Sequence, residues 1–251
     1  MAIGILLLIS TTSCASPSDP ATTSITVFAS SSLITSLTAI GKHFQTENPG
    51  SSVEFIFAGS SDLSAELADG AQADVFVSGD DRNMAAVTQA GLIGGNAVPF
   101  AANRLVIAAP PGNHQNLASF ADLARPGLRL AVCGGTDACA SATRRVEDQT
   151  GIRLHPQSAD STASDVVKDV TTGRADAGVV LRTDALNAGD NVSWFAFPES
   201  DDAVVTSWIG LLKESNQAQL AMKFIQDVTG ATGRRIITND GFAEPVKISA
   251  G

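Results

Sequence analysis

Serines that open predicted helices are the residues of this chain whose type and spacing best suit chemistry. Ser30, Ser31 and Ser32 follow one β-rich run, and Gly59, Ser60 and Ser61 follow the next. A helix start leaves several backbone N–H groups without intrahelical partners and carries the positive end of the helix dipole. A serine there adds a hydroxyl donor, and together they make a neutral anion site that needs no Lys or Arg. Residues 136–141 and 158–165 repeat this small, polar, helix-opening composition later in the chain. Ordinary helix capping uses the same residue types, so composition leaves both readings open.

The remaining catalytic inventory is sparse. His43, His114 and His155 each lack a second histidine three to five residues away, which argues against a locally built metal site. No Gly-x-Ser-x-Gly, Gly-x-Gly-x-x-Gly or Gly-x-x-x-x-Gly-Lys sequence occurs, so the usual hydrolase and nucleotide-binding signatures are missing. A hydrolase with a distributed Ser/Asp site, assembled from distant segments, stays as the alternative from another class, with no sequence feature in its favour.

The elements that would hold these turns alternate between strand and helix. Residues 24–28 are β-rich, and Leu33, Leu37, Ile40 and Phe44 then recur at helical spacing over 33–45. Residues 52–58 predict a second strand and 62–69 a helix; 74–78, 104–109, 128–133, 178–181 and 193–197 predict further short strands. Helices are expected over 138–149, 162–172, 217–228 and 232–239. Such alternation predicts an α/β fold with mixed sheets flanked by helices on both faces. An Ala-Asp, strand, Asp layout occurs at 73–80 and again at 175–184, which is either one device used once per half or a coincidence of common α/β turns.

Composition narrows the class. The chain has 251 residues, enough for one large domain or two small ones, and 44% of them are apolar against 17% charged, which suits a packed core. Lys and Arg number 16 against 26 Asp and Glu, a net charge of −10, which argues against nucleic acid or an anionic membrane surface as partner. Residues 1–13 are apolar and then hydroxyl-rich, end on a small residue before Cys14, and carry no charge; the run is too short for a membrane span. It predicts a signal peptide truncated at its basic end, with Cys14 as the lipidated first residue of the mature chain and 14–23 as a tether. The other reading is an apolar N-terminus with an incidental cysteine. Cys133 and Cys139 have five residues between them in a Gly-rich stretch. Outside the cytoplasm such a pair predicts a short-loop disulfide, with two buried thiols as the alternative.

Five blocks then carry a resemblance: 25–33 (ITVFASSSL), 57–63 (FAGSSDL), 73–80 (ADVFVSGD), 129–132 (RLAV) and 175–180 (ADAGVV). In order and spacing the chain resembles the periplasmic molybdate-binding proteins of ABC importers over residues 24–245. The resemblance implies a two-lobed type II solute-binding fold that closes on a tetrahedral oxyanion, with no enzymatic activity and no cofactor beyond the ligand, molybdate or tungstate. It places the family's first ligand serine on Ser32, with Ser31 as an amide donor, the second on Ser60, and main-chain amide donors near Ala140 and Ala163. The tyrosine often found after the Gly-Val-Val strand is here Leu181, and the chain has no Tyr at all; that donor is lost or is replaced by Thr183, a water or another hydroxyl from the loop between Cys133 and Cys139. The same fold binding sulfate or a small organic solute is the alternative. An acceptor-free site would reject phosphate, which carries a proton at neutral pH.

The implied organisation is a first lobe from 24–102 and 203–251 and a second from 103–202. Implied partners are an integral-membrane ABC permease and its cytoplasmic ATPase, with the chain held as a monomer on the extracytoplasmic face of the cell membrane by its lipid.

Overall fold

The computed structural model describes residues 22–135 and 138–245. The expected signal peptide, Cys14 and nearly all of the tether lie outside the described residues. A first series runs β1 (Thr23–Ser30), a 3-10 turn (Ser31–Leu33), α1 (Ile34–Glu47), β2 (Ser51–Ala58), α2 (Ser60–Ala68), β3 (Val75–Ser78), α3 (Asp81–Gln89) and β4 (Val98–Asn103). After β5 (Leu105–Ala109) a second series repeats it: β6 (Leu130–Cys133), α4 (Ala138–Thr150), β7 (Ser158–Ser161), α5 (Ala163–Thr171), β8 (Ala177–Leu181), α6 (Arg182–Asn187) and β9 (Ser193–Phe195). The described chain finishes with β10 (Val205–Leu211), α7 (Ala218–Thr229) and α8 (Ala231–Asn239). Of these, α3, β4, β7, α6 and β10 have no counterpart in the sequence-based expectation.

The strands form two five-stranded sheets, ordered β2-β1-β3-β10-β4 and β7-β6-β8-β5-β9. In each, the first three strands are parallel and the fourth is antiparallel to its neighbours. The molecule is therefore two α/β lobes of one topology, with mixed sheets flanked by helices. The antiparallel fourth strands are exchanged between the series, since β5 directly follows β4 in sequence and β10 follows β9. This exchange makes the chain cross twice between lobes, at Arg104 and at 196–204.

The crossings are tied together. The Arg104 guanidinium pairs with Asp201, and Arg145 of α4 donates to the carbonyls of Ala203 and Val204 at 3.1 and 3.0 Å. Asn103 is buried; its Oδ1 accepts the Arg104 N–H at 2.9 Å and its Nδ2 donates to Thr183 Oγ1 at 2.8 Å.

The repeated Ala-Asp layout is one device used in both lobes. Asp74 N–H donates to the Thr26 carbonyl at 2.8 Å, and Asp74 Oδ2 accepts the Thr26 N–H at 2.8 Å. Asp176 does the same with Arg129, at 2.7 and 3.0 Å. Each aspartate thus anchors the start of a third strand to the central one and fixes the parallel register there.

Strand alternation divides the first lobe's core. Ile25, Val27, Ala29, Val75 and Val77 face one side, where Leu37, Ile40 and Phe44 of α1 meet Phe224 and Ile237 of α7 and α8. Phe28 and Phe76 face the other, against Leu63 and Leu67 of α2 and Met84 and Val87 of α3. Burying each of these large side chains contributes about 1.5–3 kcal/mol, and Phe44 and Phe224 also meet edge to face at 5.4 Å. The second lobe has its own core around Leu105, Ile107, Leu130, Val146, Val166 and Val179. Both cores serve to hold the carboxyl ends of the parallel strands, and the helices that follow them, toward the gap between the lobes, the usual ligand position in such sheets.

Candidate functional site

A cavity of about 250 Å³ opens there. The first lobe lines it with the junctions after three parallel strands: Ser30, Ser31 and Ser32 after β1, Ala58 to Ser61 after β2, and Gly79, Asp80 and Asn83 after β3. The second lobe contributes Ala138, Ala163, Leu181 and Asp184. No Lys or Arg is among the lining residues, and no cluster of three or more metal-ligating side chains occurs among the described residues.

The two readings of the serine turns separate here. The α3 start is capped by Asp80, whose Oδ1 accepts the Asn83 N–H at 2.8 Å. The α5 start is closed by a reciprocal pair, Thr162 Oγ1 accepting the Asp165 N–H and Asp165 accepting the Thr162 N–H, each at 3.2 Å. Hydrogen bonds to the charged Asp165 carboxylate from the Thr162 side chain and backbone hold its pKa below the ordinary value. By contrast, Ser30 and Gly59, at the N-cap positions of the turns leading into α1 and α2, make no side-chain cap. The Ser30 hydroxyl, paired with Ser32, and the Ser60 hydroxyl, paired with the Gly79 N–H, are not spent on capping, and both turns line the cavity.

Ser60 is buried, and its Oγ accepts the Gly79 N–H at 3.0 Å. With a lone pair so engaged, the hydroxyl proton remains to be donated. Ser30 and Ser32 hydroxyls lie 3.0 Å apart. Gly79 is what admits that pair: a Cβ there would come 2.6 Å from Ser30 Oγ and 3.1 Å from Ser32 Oγ. Three strand ends are thus interlocked by one glycine, whose N–H orients one serine and whose bare Cα leaves room for two more.

Of the residues singled out in the sequence, Ser31, Ser32, Ser60 and Ala163 lie on the wall. Ala140 does not; it is 1% exposed in the second lobe's core, and Ala138, the first residue of α4, lines the cavity in its place. Thr183 also lies off the wall, buried with its hydroxyl accepting from Asn103 at the crossing. Leu181, at the missing tyrosine's position, is on the wall. Cys133 and Cys139 are joined in a disulfide that links the end of β6 to the first turn of α4. Gly79, Asp80, Asn83 and Asp184 are lining residues that sequence reasoning did not assign. The signal for Gly79 and Asp80 was present, since the block 73–80 ends on another strand-to-helix junction of small polar residues.

The wall is not made of donors alone. Both Asp80 oxygens are held by Asn83, from its N–H at 2.8 Å and its Nδ2 at 2.7 Å. Asp184 accepts the Leu181 N–H at 3.2 Å. Two carboxylates that the expectation of an acceptor-free site did not include are thus lining residues, each engaged at its own helix start.

Comparison with known proteins bears on this geometry. The chain is 48% identical over 222 residues to the molybdate-binding protein ModA of Mycobacterium tuberculosis, spanning 88% of this chain and 85% of that one. Among solved structures, the periplasmic molybdate-binding protein of Azotobacter vinelandii superposes with a TM-score of 0.72 at 19% identity, over 88% of this chain and all of that one. The sulfate-binding protein SubI from Mycobacterium tuberculosis gives 0.71 at 18%, over 88% and 87%. At such identities the two structures speak for the fold alone. A family model for bacterial extracellular solute-binding proteins matches residues 25–243. With that match covering most of its length, the chain belongs to the bacterial extracellular solute-binding proteins, a family that captures ligands rather than transforming them.

Proposed function

We propose that this protein captures molybdate or tungstate between its lobes and presents it to an ABC importer. The observation that carries the reading is the pair of uncapped helix starts whose serines, Ser32 and Ser60, meet in a cavity without a cationic side chain. A tetrahedral dianion offers only acceptors, and hydroxyl and amide donors at about 3 Å in a dry cleft complement it. The net charge of −10 does not oppose this, because surface charge is screened over about 8–10 Å at physiological salt. Ser31 and Ala163 supply helix-start amides in this reading, and Ala138 takes the role expected of Ala140. The 48% relative, named for molybdate binding, supports the same ligand.

The finer assignments follow from the same reading. The first lobe comprises 24–102 and 203–251 and the second 103–202, anchored as a monomer outside the cell membrane through a lipid on Cys14. An integral permease and a cytoplasmic ATPase complete the importer.

Calorimetric titration with molybdate, tungstate, sulfate and phosphate, on the parent and on Ser60→Ala, tests the reading. One-to-one binding of molybdate or tungstate in preference to the others is expected. Loss of one donor to a charged ligand should weaken it about tenfold to a hundredfold in the variant. A preference for sulfate or phosphate would overturn the molybdate assignment.

A further inference from the structure

Ser30 belongs to no ligand set implied by the sequence, yet its placement is unusual. It is 7% exposed and stands at an N-cap position without capping the turn. Its one hydrogen-bond partner among the described residues is the Ser32 hydroxyl, at 3.0 Å, and either oxygen can be the donor. A buried hydroxyl whose proton serves neither the helix nor the sheet acts either through that partner or directly on a ligand, since Ser30 also lines the cavity.

We propose that Ser30 is a positioning residue for oxyanion capture: its hydroxyl donates to Ser32 Oγ, so that the single Ser32 proton is committed to the ligand. The proposal rests on the reading of the cleft given above. A serine hydroxyl has one proton and two lone pairs. If Ser32 donates to Ser30, that proton is lost to the cavity. A fully deprotonated oxyanion has no proton to give, so it selects the opposite polarity, with Ser30 donating to Ser32 and Ser32 donating to the oxyanion. Consecutive donation in one direction polarises each hydroxyl and strengthens the last bond of the chain. The bare Cα of Gly79, beside both oxygens, leaves this two-hydroxyl relay the room it occupies. No atoms are exchanged; two hydroxyl protons change direction.

A double-mutant cycle reads the relay directly. Molybdate affinity is measured by calorimetry on the parent, Ser30→Ala, Ser32→Ala and the double variant, with thermal melts of the ligand-free proteins. The expected result is about a fivefold to tenfold loss for Ser30→Ala, the worth of one hydrogen bond, and no further loss when it is added to Ser32→Ala. Ser30→Cys keeps the volume but is a weak donor, and should show the same loss; wild-type affinity in Ser30→Cys would mean that packing alone matters and would overturn the relay. Unchanged affinity in Ser30→Ala, or an equal loss in both backgrounds, would do the same. Should the parent bind none of molybdate, tungstate and sulfate, the reading of the cleft itself fails, which is distinct from a parent that binds and a Ser30 that does not matter.

Discussion

A serine hydroxyl has one proton to give, and around this cleft the neighbours decide where each proton goes. Ser60 is oriented by the Gly79 N–H, and Ser30 and Ser32 fit together only because residue 79 has no side chain. Gly79→Ala separates these roles. A methyl would meet the Ser30 and Ser32 Oγ atoms, which can turn away, and the Ser30 Cβ at 3.2 Å, which needs a small backbone shift, while the backbone N–H to Ser60 is retained. The variant should fold with a slightly lowered melting temperature, yet bind the oxyanion at least about tenfold more weakly, since one hydroxyl or both must leave the wall. Titration beside a thermal melt checks this, and full affinity would show that the wall does not need the Ser30 and Ser32 hydroxyls where they stand. Ser32 and Ser60 were legible in the sequence as residues of the cavity wall because each sits in a local strand-to-helix turn. Gly79 was not, because its function is a contact with Ser30 and Ser32 made only when three strand ends are side by side. The offset from Ala140 to Ala138 has a related origin: a spacing does not state which residue of a first helical turn faces the ligand and which the core.

The elements were legible in proportion to how locally they are determined. Strand-to-helix units with a periodic apolar face, such as β1 with α1, could be read directly. β4 and β10 could not, since they pair with each other across about a hundred residues and their register shifts between Ser207 and Trp208, where Pro99 lies opposite and can donate nothing to the ladder. β7 (Ser158–Ser161) is a short polar edge strand with little to distinguish it from a loop. The paired aspartates show which local feature settles such long-range order. The Asp176 pKa is held below its ordinary 3.8, first by the side-chain hydrogen bond from Arg129 and then by the Arg129 backbone N–H and charge, against a desolvation that raises it. A folded-state pKa below the unfolded one contributes stability that is complete above about 3.8 and is lost as pH falls through the lowered value. Asp176→Asn, which keeps an acceptor but removes the charge, should therefore melt below the parent at pH 7. The gap should close on acidification below pH 3.8. Melting curves across that range decide it, and a gap that persisted unchanged in acid would locate the effect in packing rather than in the ion pair.

At the scale of the whole molecule, the exchange of β5 and β10 has a mechanical result. Two chain crossings side by side, at Arg104 and at 196–204, permit one lobe to rotate against the other while each retains a complete core. Asn103 and Thr183, joined by a hydrogen bond, sit at that hinge rather than in the cleft, as does the ion pair between Arg104 and Asp201. The cavity draws its wall from both lobes, so on the proposed reading an anion held by Ser32 and Ser60 on one side and by the helix starts at Ala138 and Ala163 on the other would favour the closed arrangement by its differential affinity. Two consequences are measurable on one sample. Ligand at a hundredfold excess over its Kd should stabilise the protein by about 2.7 kcal/mol, simply because it binds the folded form. Small-angle scattering should show a smaller radius of gyration with ligand than without. Stabilisation without compaction would mean that the ligand enters lobes already set at their final angle, and that an importer recognising the loaded protein must read the wall of the cleft rather than its closure.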